Sequence, residues 1–428
     1  MRVLIVDTEC LGLDFAYLCA QNDHEVKWFR QTKHPIRDGE GFPGVQVVTD
    51  WRAHIKWAKD GVIVTTMNDR YMADLDRYRD LGFCIFGPTA KSARMEIQRA
   101  ALMDLLQRTG IKVSPYKTFS SLEDAQKFAW KADRCWVFKT LGSEDDKSLT
   151  YVPHDPADLV GWLNTKIKQG LKLKGPCMLQ EKVDGTEIGI AGWMGKNGFL
   201  TGKWELSWEH KRLMDGDHGP NTGEQGTVAL MVEHHKLADD YLWPLEEAFR
   251  KMGHLGDLNL NGAWDGTHYW VFEATVRLGW PDFYLRCAMN EGDPVTWMRD
   301  AWRGEDTLKV SRDWVVGVVL AQPPYPYDDQ LTDYQVEGAP ITGAEEVWDH
   351  VHPVHMMVAR GPIMEGQNII EAPQIQTTGA YVMVLTGQGS TLEKAREEVY
   401  AANDKIHFKD KMLRTDIGAH VDVGLVTA

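Results

Sequence analysis

The residues best suited to chemistry are concentrated between Trp208 and Gly226. This stretch opens with an acid and three consecutive basic side chains, and further acids, glycines and amides follow. It is too polar for a buried core and too rich in glycine for a helix, so we predict a loop that folds around a charged ligand. The alternative is a solvated polar loop that binds no ligand.

Two further places offer charged groups in unusual settings. Lys139 lies in the apolar strand-like run Val137–Thr140, where a lysine either serves a ligand or reaches solvent from the strand end. Glu273 and Asp257 fall on two neighbouring predicted strands, and Mg²⁺ prefers such carboxylate oxygens. Asp257 is equally compatible with a turn or surface acid.

The elements that must position these groups can be predicted from the pattern of the chain. Residues 1–88 alternate short apolar strands with helices, which indicates a parallel sheet with helices on its faces. The first turn, residues 7–13, has one glycine, so it does not fit a dinucleotide loop. We predict helices over Ser92–Thr109, Asp239–Met252 and Thr391–Ala402, and a β-rich tail from Trp314.

Bulk composition excludes several classes of function. A formal charge of −15 argues against binding to nucleic-acid backbones, which needs a basic surface. No apolar run is long enough to span a bilayer. The six cysteines are widely spaced with no CxxC pair, so we expect reduced thiols and a cytoplasmic protein.

The stretch from Trp208 to Gly226 resembles the "DHKR…GDxxxGPNTGGMG" loop of the phosphoribosylamine–glycine ligase family, in the ATP-grasp superfamily. Residues 180–187 look like the family's "EEFLxGEE" hinge, and residues 271–282 look like "VIEFNARFGDPE". Segments 379–395 and 405–418 are similar to the family's carboxyl-terminal motifs, so the likeness runs in order over nearly the whole chain.

This resemblance implies an ATP-grasp fold of mixed α/β and α+β class. It would have an N-terminal Rossmann-like parallel sheet domain, a mobile lid, a central antiparallel-sheet domain and a β-rich C-terminal domain. The corresponding predicted boundaries are a substrate domain over 1–88, a linker helix over 89–119, the lid over 120–186, the central domain over 187–313 and the C-terminal domain over 314–428.

The resemblance also implies roles for individual residues. ATP would be held by Arg99, Lys139, Lys147, Glu181, Val183 and Glu187. Mg²⁺ or Mn²⁺ would be held by Glu273 and Thr275, with Asp257 as a further candidate. The predicted catalytic residues are Arg277, Lys211, Arg212 and Asp217. The predicted substrate-binding residues are His210, Asp215, Asn221, Thr222 and Gly223.

The chain departs from the family where the amine substrate's phosphate would bind. The family's glycine-rich "GSGGREHA" loop reads residues 6–13 here, and its acids Asp7 and Glu9 disfavour an anion. A second phosphate loop, near residues 65–71, also lacks its glycine. At position 224 the family's glycine is replaced by glutamate.

Three functions remain open on this basis. The first is an ATP-dependent ligase that joins glycine or another amino acid, through an acyl phosphate, to an amine other than phosphoribosylamine, such as a modified nucleoside or nucleotide. The second is a divergent phosphoribosylamine–glycine ligase of purine biosynthesis. The third is a non-catalytic nucleotide-binding protein. In each case we expect small-molecule ligands, and a monomer or a homodimer.

Overall fold

The N-terminal part of the chain forms a five-stranded parallel sheet, as the alternating pattern predicts. The structure is a computed structural model that describes residues 1–31, 37–68, 70–141, 149–327 and 336–427. The strand order is β3-β2-β1-β4-β5, and β1 lies in the middle with its apolar residues buried. The elements are β1 (Arg2–Asp7), α1 (Leu13–Gln21), β2 (Glu25–Arg30), β3 (Val45–Val48), β4 (Val62–Thr65), α2 (Met72–Asp80) and β5 (Ile85–Phe86).

Two helices follow where the sequence predicts one over Ser92–Thr109. They are α3 (Ala90–Ile97) and α4 (Arg99–Arg108), and they are separated by Gln98, whose backbone is not helical. The prediction of a single helix is therefore wrong, because apolar spacing continues through a residue whose backbone leaves the helical region. The break makes Arg99 the first residue of α4.

A small antiparallel sheet follows in the order β6-β8-β7, with two helices packed together on it. Its core contains Phe138 and Leu179. The helix α6 was absent from our predictions. The elements are β6 (Tyr116–Phe119), α5 (Leu122–Ala129), β7 (Trp136–Thr140), α6 (Pro156–Lys168) and β8 (Cys177–Glu181).

The centre of the molecule is a nine-stranded sheet in the order β14-β13-β9-β11-β12-β15-β19-β16, with β10 paired to β9. Its first half comes from β9 (Thr186–Gly195), β10 (Gly198–Phe199), β11 (Trp204–Met214), β12 (His218–Val232), β13 (Gly256–Trp264) and β14 (Tyr269–Thr275). The helices of this half are α7 (Trp243–Lys251), α8 (Asp282–Met289) and α9 (Thr296–Arg303), of which α8 and α9 were not predicted.

The C-terminal strands extend this same sheet. They are β15 (Trp314–Ala321), β16 (Val351–Pro353) and β19 (Tyr381–Gly389), with α10 (Leu392–Asn403) packed on β19 and β15. A separate two-stranded sheet consists of β17 (Met356–Glu365) and β18 (Asn368–Thr377). Hydrogen bonding thus crosses the predicted boundary at residue 314, and the division into domains stays a prediction.

The predicted ligand loop over 208–226 is instead a β-hairpin. Strands β11 and β12 pair from Trp204 opposite Val232 to Met214 opposite His218, with two irregularities in register. The turn contains Gly216 and Asp217, both with positive φ angles of 66° and 56°. Glycine and polar residues therefore serve the tip and the bulges, while the hairpin stays paired.

The predicted helix Asp239–Met252 begins as a π-helical turn over Ala238–Leu242 and becomes regular only in α7. Among the described residues, no helix combines the length and the apolar character needed to cross a membrane.

Candidate active site

A polar row crosses four strands on one face of the central sheet. Ser207 lies opposite Gly189, Gly189 opposite Asn261, and Asn261 opposite Glu273. Directly paired residues of antiparallel strands share a face, so these four residues line one surface. We call this set the polar row. Its Glu273 end is partly exposed and its Ser207 end is buried, so the row runs from an opening into the interior.

Glu273 lies between two cations from different parts of the chain. Its Oε2 is 3.4 Å from Nη2 of Arg99, and its Oε1 is 3.5 Å from Nζ of Lys211. Arg99 is positioned by the start of α4 and Lys211 by β11. The predicted nucleotide and metal residues of three separate segments therefore meet at this carboxylate.

Lys139 belongs to the same group. It is buried on β7, donates a hydrogen bond to Oε1 of Gln180 at 2.8 Å, and lies over the ring of Phe272. Burial first, and then repulsion by Arg99, lower its pKa to about 8, while Glu273 acts in the opposite direction. A buried ammonium among other cations is suited to an anionic ligand such as a phosphate.

Lys211 is held by two carboxylates. Its Nζ is 2.9 Å from Oε2 of Glu209 as well as 3.5 Å from Glu273. The Glu209 carboxylate is the main cause that raises the pKa of Lys211 well above its ordinary value, against the effect of burial. Lys211 therefore keeps its positive charge beside Glu273.

Arg277, the predicted catalytic arginine, lies just after β14, the strand that carries Glu273. Its Nε is 3.4 Å from Oε1 of Glu96, and the other oxygen of Glu96 accepts a hydrogen bond from the backbone N–H of Val276 at 2.9 Å. Glu96 on α3 thus fixes the turn after β14 and orients the guanidinium. We had not singled out Glu96, since nothing in its sequence context separates it from a surface acid.

The predicted adenine hinge follows β8. The backbone N–H of Glu181 donates to the carbonyl of Pro115, and its carbonyl accepts from the hydroxyl of Ser114. The Glu181 side chain is paired with Arg134. Both backbone groups of Glu181 are therefore already hydrogen-bonded within the chain. A role of this hinge in binding adenine would depend on the residues next to Glu181. Val183 is partly buried in the segment before β9, and Glu187 is exposed at the start of β9.

Lys147 lies outside the described residues. Most of the predicted substrate residues are in the hairpin, and several contact the chain near its C-terminus instead of the polar row. Arg414 is buried and donates to Asp217 at 2.7 Å and to the carbonyl of Arg212 at 3.1 Å. Asp215 accepts from the backbone N–H of Thr415 at 2.8 Å. These acids therefore anchor the hairpin.

The remaining hairpin residues have mixed environments. His210 accepts a hydrogen bond from the N–H of Gly418 at 3.4 Å, and burial is the main cause that lowers its pKa. Thr222 donates to the carbonyl of Lys211 at 2.9 Å. Asn221 lies opposite Arg212 and is exposed, and open space surrounds Gly223.

Asp257 is placed apart from Glu273. Its Oδ1 accepts from Nη1 of Arg286 at 2.8 Å, and Arg286 also contacts Asp282 and Glu205. All four side chains are buried, and burial is the first cause that raises the pKa of Asp257 to about 7. We call this group the Arg286 cluster. Asn261, four residues along β13, is the residue opposite Glu273.

The donors around Glu273 fit a divalent cation. Mg²⁺ takes hard oxygen ligands, commonly one or two carboxylates completed by phosphate and water. Glu273 supplies a carboxylate, and Thr275 supplies a hydroxyl on the same strand. No cluster of three or more His, Cys, Asp or Glu suited to a metal occurs among the described residues, so the phosphates would complete this set.

The loop after β1 surrounds a carboxylate of the chain itself, that of Asp7. The buried carboxylate of Asp7 accepts from the backbone N–H groups of Gly12 at 2.7 Å and Glu9 at 3.1 Å. It also accepts from the hydroxyl of Thr66 at 2.8 Å and the indole N–H of Trp28 at 3.0 Å. Donors from both loops expected to bind a phosphate are thus directed at a side chain.

Sequence reasoning missed Ser207, Asn259 and Asn261. A signal for two of them was present, because residues 257–261 alternate polar and apolar side chains, which indicates one polar face of a strand. Ser207 carried no comparable signal, since only strand pairing places it near Asn261.

Two family models match the chain. The model described as "Phosphoribosylglycinamide synthetase, ATP-grasp (A) domain" matches residues 99–242. The model described as "Phosphoribosylglycinamide synthetase, C domain" matches residues 315–420. Together the two matches cover more than half of the chain.

Similar proteins cover nearly the full length. The phosphoribosylamine–glycine ligase of Thermotoga maritima is 27% identical over 411 residues, which is 93% of this chain and 94% of that protein. That of Caulobacter vibrioides is 26% identical over 404 residues, 88% of this chain and 90% of that protein.

Solved structures support the fold. The crystal structure of the Thermotoga maritima ligase aligns with a TM-score of 0.71 at 23% identity, covering 97% of this chain and all of that one. An L-amino acid ligase from Bacillus licheniformis aligns with a TM-score of 0.59 at 14% identity, covering 95% of this chain and 98% of that one. The chain is an ATP-grasp ligase that forms a carbon–nitrogen bond, and it belongs to the phosphoribosylamine–glycine ligase family.

Proposed function

We propose that this protein activates the carboxylate of glycine or another amino acid as an acyl phosphate, using ATP, and transfers the acyl group to an amine. The observation that carries this proposal is the Glu273 carboxylate between Arg99 and Lys211, with the buried ammonium of Lys139 beside them. Such a set of cations around one metal-binding carboxylate suits a metal–nucleotide and a second anion.

Each residue of this set has a role that follows from its position. Lys139 and Arg99 would bind phosphate oxygens from one side, and Lys211 would do so from the hairpin side. Glu273 and Thr275, both on β14, would hold the Mg²⁺ or Mn²⁺, which when bound neutralises phosphate charge. Arg277, oriented by Glu96, would stabilise negative charge on the phosphorylated carboxylate.

The first candidate for the amine is phosphoribosylamine. The relatives described above are phosphoribosylamine–glycine ligases by name, and their alignments cover most of this chain. These comparisons support this candidate better than the amine of another kind that the sequence departures suggested.

A second candidate is an amine that places no phosphate at the loop after β1. The specific observation in its favour is the Asp7 carboxylate, which already accepts from four donors in this loop. A phosphate there would have to displace a buried anion, and two anions at one site repel each other. A modified nucleoside or nucleotide with its phosphate elsewhere fits this candidate.

ADP release from the purified protein tests both candidates. The assay contains ATP, Mg²⁺, glycine and one amine from a panel that includes phosphoribosylamine, with Glu273→Gln as the inactive control. Stimulation by phosphoribosylamine would establish the first candidate. Stimulation only by another amine would establish the second. If no amine or amino acid stimulates ADP release above the Glu273→Gln level, the proposed reaction is wrong.

We expect these small molecules as the ligands, and a cytoplasmic location in keeping with six free cysteines. A monomeric or homodimeric state stays a prediction.

A further inference from the structure

A group of oxygen atoms converges over the middle of the polar row. A Cβ atom placed on Gly189 would lie 2.3 Å from Oγ of Ser207, 2.9 Å from Oδ1 of Asn261 and 3.4 Å from Oδ1 of Asn259. Because Gly189 has no side chain, these three oxygens can converge on the position that a Cβ atom would otherwise take. We call Ser207, Asn259 and Asn261 around this glycine the Gly189 cradle.

Two of these oxygens are buried without a hydrogen bond. Ser207 is 1% exposed and Asn259 is 3% exposed. Within the described parts of the chain, Oγ of Ser207 and Oδ1 of Asn259 have no hydrogen-bond partner. Buried polar atoms are almost always paired, because leaving one unpaired costs about 1–3 kcal/mol. The Gly189 cradle therefore has bonding capacity directed at something other than this chain.

The charges around the cradle indicate what it would bind. On one side Glu209 accepts from Nδ2 of Asn261 at 2.9 Å. On the other side the Arg286 cluster sets three carboxylates against one guanidinium. Oxygen acceptors in an acidic setting favour a ligand that donates hydrogen bonds and carries or can carry positive charge.

The cradle is also connected to the reacting end of the site. Asn261 is bonded to Glu209, Glu209 to Lys211, and Lys211 to Glu273. This chain of contacts leads from the cradle to the carboxylate at which we place the metal–nucleotide. Ser207 and Asn259 are buried whereas Glu273 is partly exposed, so a ligand would enter from the Glu273 side.

We propose that the Gly189 cradle binds the amino group of the acceptor amine and is the specificity-determining floor of the acceptor site. This inference rests on the proposed ligase reaction, and it holds for either candidate amine. The oxygens of Ser207, Asn259 and Asn261 accept N–H bonds from the amine and orient it for attack on the acyl phosphate. The bond formed is the amide C–N bond, the bond broken is the acyl C–O bond to phosphate, and the amine proton leaves with solvent.

The test uses hydroxylamine as the amine, because it intercepts an acyl phosphate and gives a coloured hydroxamate. The KM for hydroxylamine is measured with ATP, Mg²⁺ and glycine held in excess, for the full chain and for Ser207→Ala and Asn259→Leu. Each variant removes one cradle oxygen, Ser207→Ala with little change in volume and Asn259→Leu with the branching at Cγ retained. We expect the KM for hydroxylamine to rise about five- to tenfold in each, which corresponds to one lost hydrogen bond.

Two variants separate binding from a general loss of structure. Asn259→Asp keeps oxygen at the cradle and should retain a KM within about twofold of the original. Ser311→Ala removes a hydroxyl that accepts from the nearby N–H of Asp313, away from the Gly189 cradle, and its KM should not change. In all variants we expect the KM for ATP to stay constant, which a damaged fold would not allow.

The outcomes are distinguishable from failure of the proposed function. Hydroxamate formation with an unchanged hydroxylamine KM in both Ser207→Ala and Asn259→Leu would overturn the cradle proposal while leaving the ligase reaction intact. No hydroxamate from the original protein with glycine or any other amino acid would overturn the proposed function, and the cradle proposal with it.

Discussion

The binding of ATP should weaken as pH rises through the pKa of Lys139. Burial of the ammonium, with repulsion by Arg99, lowers this pKa to about 8. A lysine that loses its charge above pH 8 loses its attraction for phosphate, whereas a bound phosphate would stabilise the charged form. The affinity for ATP is therefore full below the pKa of the free protein and declines above it.

The magnitude follows from this value. With a pKa of about 8, roughly nine-tenths of the molecules carry a charged Lys139 at pH 7 and roughly one-tenth do at pH 9. If the bound phosphate returns the pKa to its ordinary range, the Kd for Mg·ATP rises about tenfold between pH 7 and pH 9, or about 1.4 kcal/mol.

Isothermal titration with Mg·ATP at pH 7, 8 and 9 measures this change. Lys139→Arg should remove it, because a guanidinium stays charged throughout the range. Lys127→Arg is the matched control, since Lys127 is an exposed lysine paired with Asp124. A Kd that is equal at pH 7 and pH 9, or an equal rise in Lys139→Arg, would refute the assignment of Lys139 to the nucleotide.

Three further predictions concern other parts of the molecule. Asp7→Ala should lower the free energy of unfolding, measured in urea, by at least about 2 kcal/mol, because four donors lose one buried acceptor. Inorganic phosphate should restore part of this loss, and a variant as stable as the original protein would contradict the prediction. Glu273→Gln should keep the fold, seen by circular dichroism, yet reduce ADP release at least about 100-fold. Arg414→Gln should speed hydrogen exchange in the tip of the β11–β12 hairpin, because Arg414 holds Asp217 and the Arg212 carbonyl, and unchanged exchange would count against this anchoring role.

The N-terminal sheet could be predicted because short apolar strands recur over residues 1–88, most of them separated by helical segments. All five strands of this parallel sheet fall within residues 1–88, the range for which the sequence predicts it. The hairpin over 208–226 could not, since its glycines and charges outweighed a pairing pattern that depends on the partner strand. The break at Gln98 was invisible for a similar reason, because apolar spacing continues across it.

The candidate site shows the same limit. Lys139, Lys211 and Glu273 were predicted from sequence resemblance, and the structure brings them together. The polar row was not predicted, because residues 189, 207, 261 and 273 become neighbours only through the register of four strands. Asp257 was chosen for its charge, whereas the register places Asn261 opposite Glu273.

Two departures from the family pattern, at positions 7 and 224, lie on the side of the proposed site where the amine would bind. The cations around Glu273 are in place, with arginine at position 99 keeping the charge of the family's lysine. Two of the acids at these departures are buried: Asp7, which accepts hydrogen bonds from its own loop, and Glu224, which replaces a family glycine and lies beside Thr227 and near Glu209. Burial, followed by repulsion from Glu209, raises the pKa of Glu224 well above its ordinary value. A cation bound next to this side chain would stabilise its charged form. Relative to the family pattern, the cations of the nucleotide side are kept, whereas buried acids are added on the amine side. In the proposed reaction, the amine would bind among these acids and the oxygens of the Gly189 cradle.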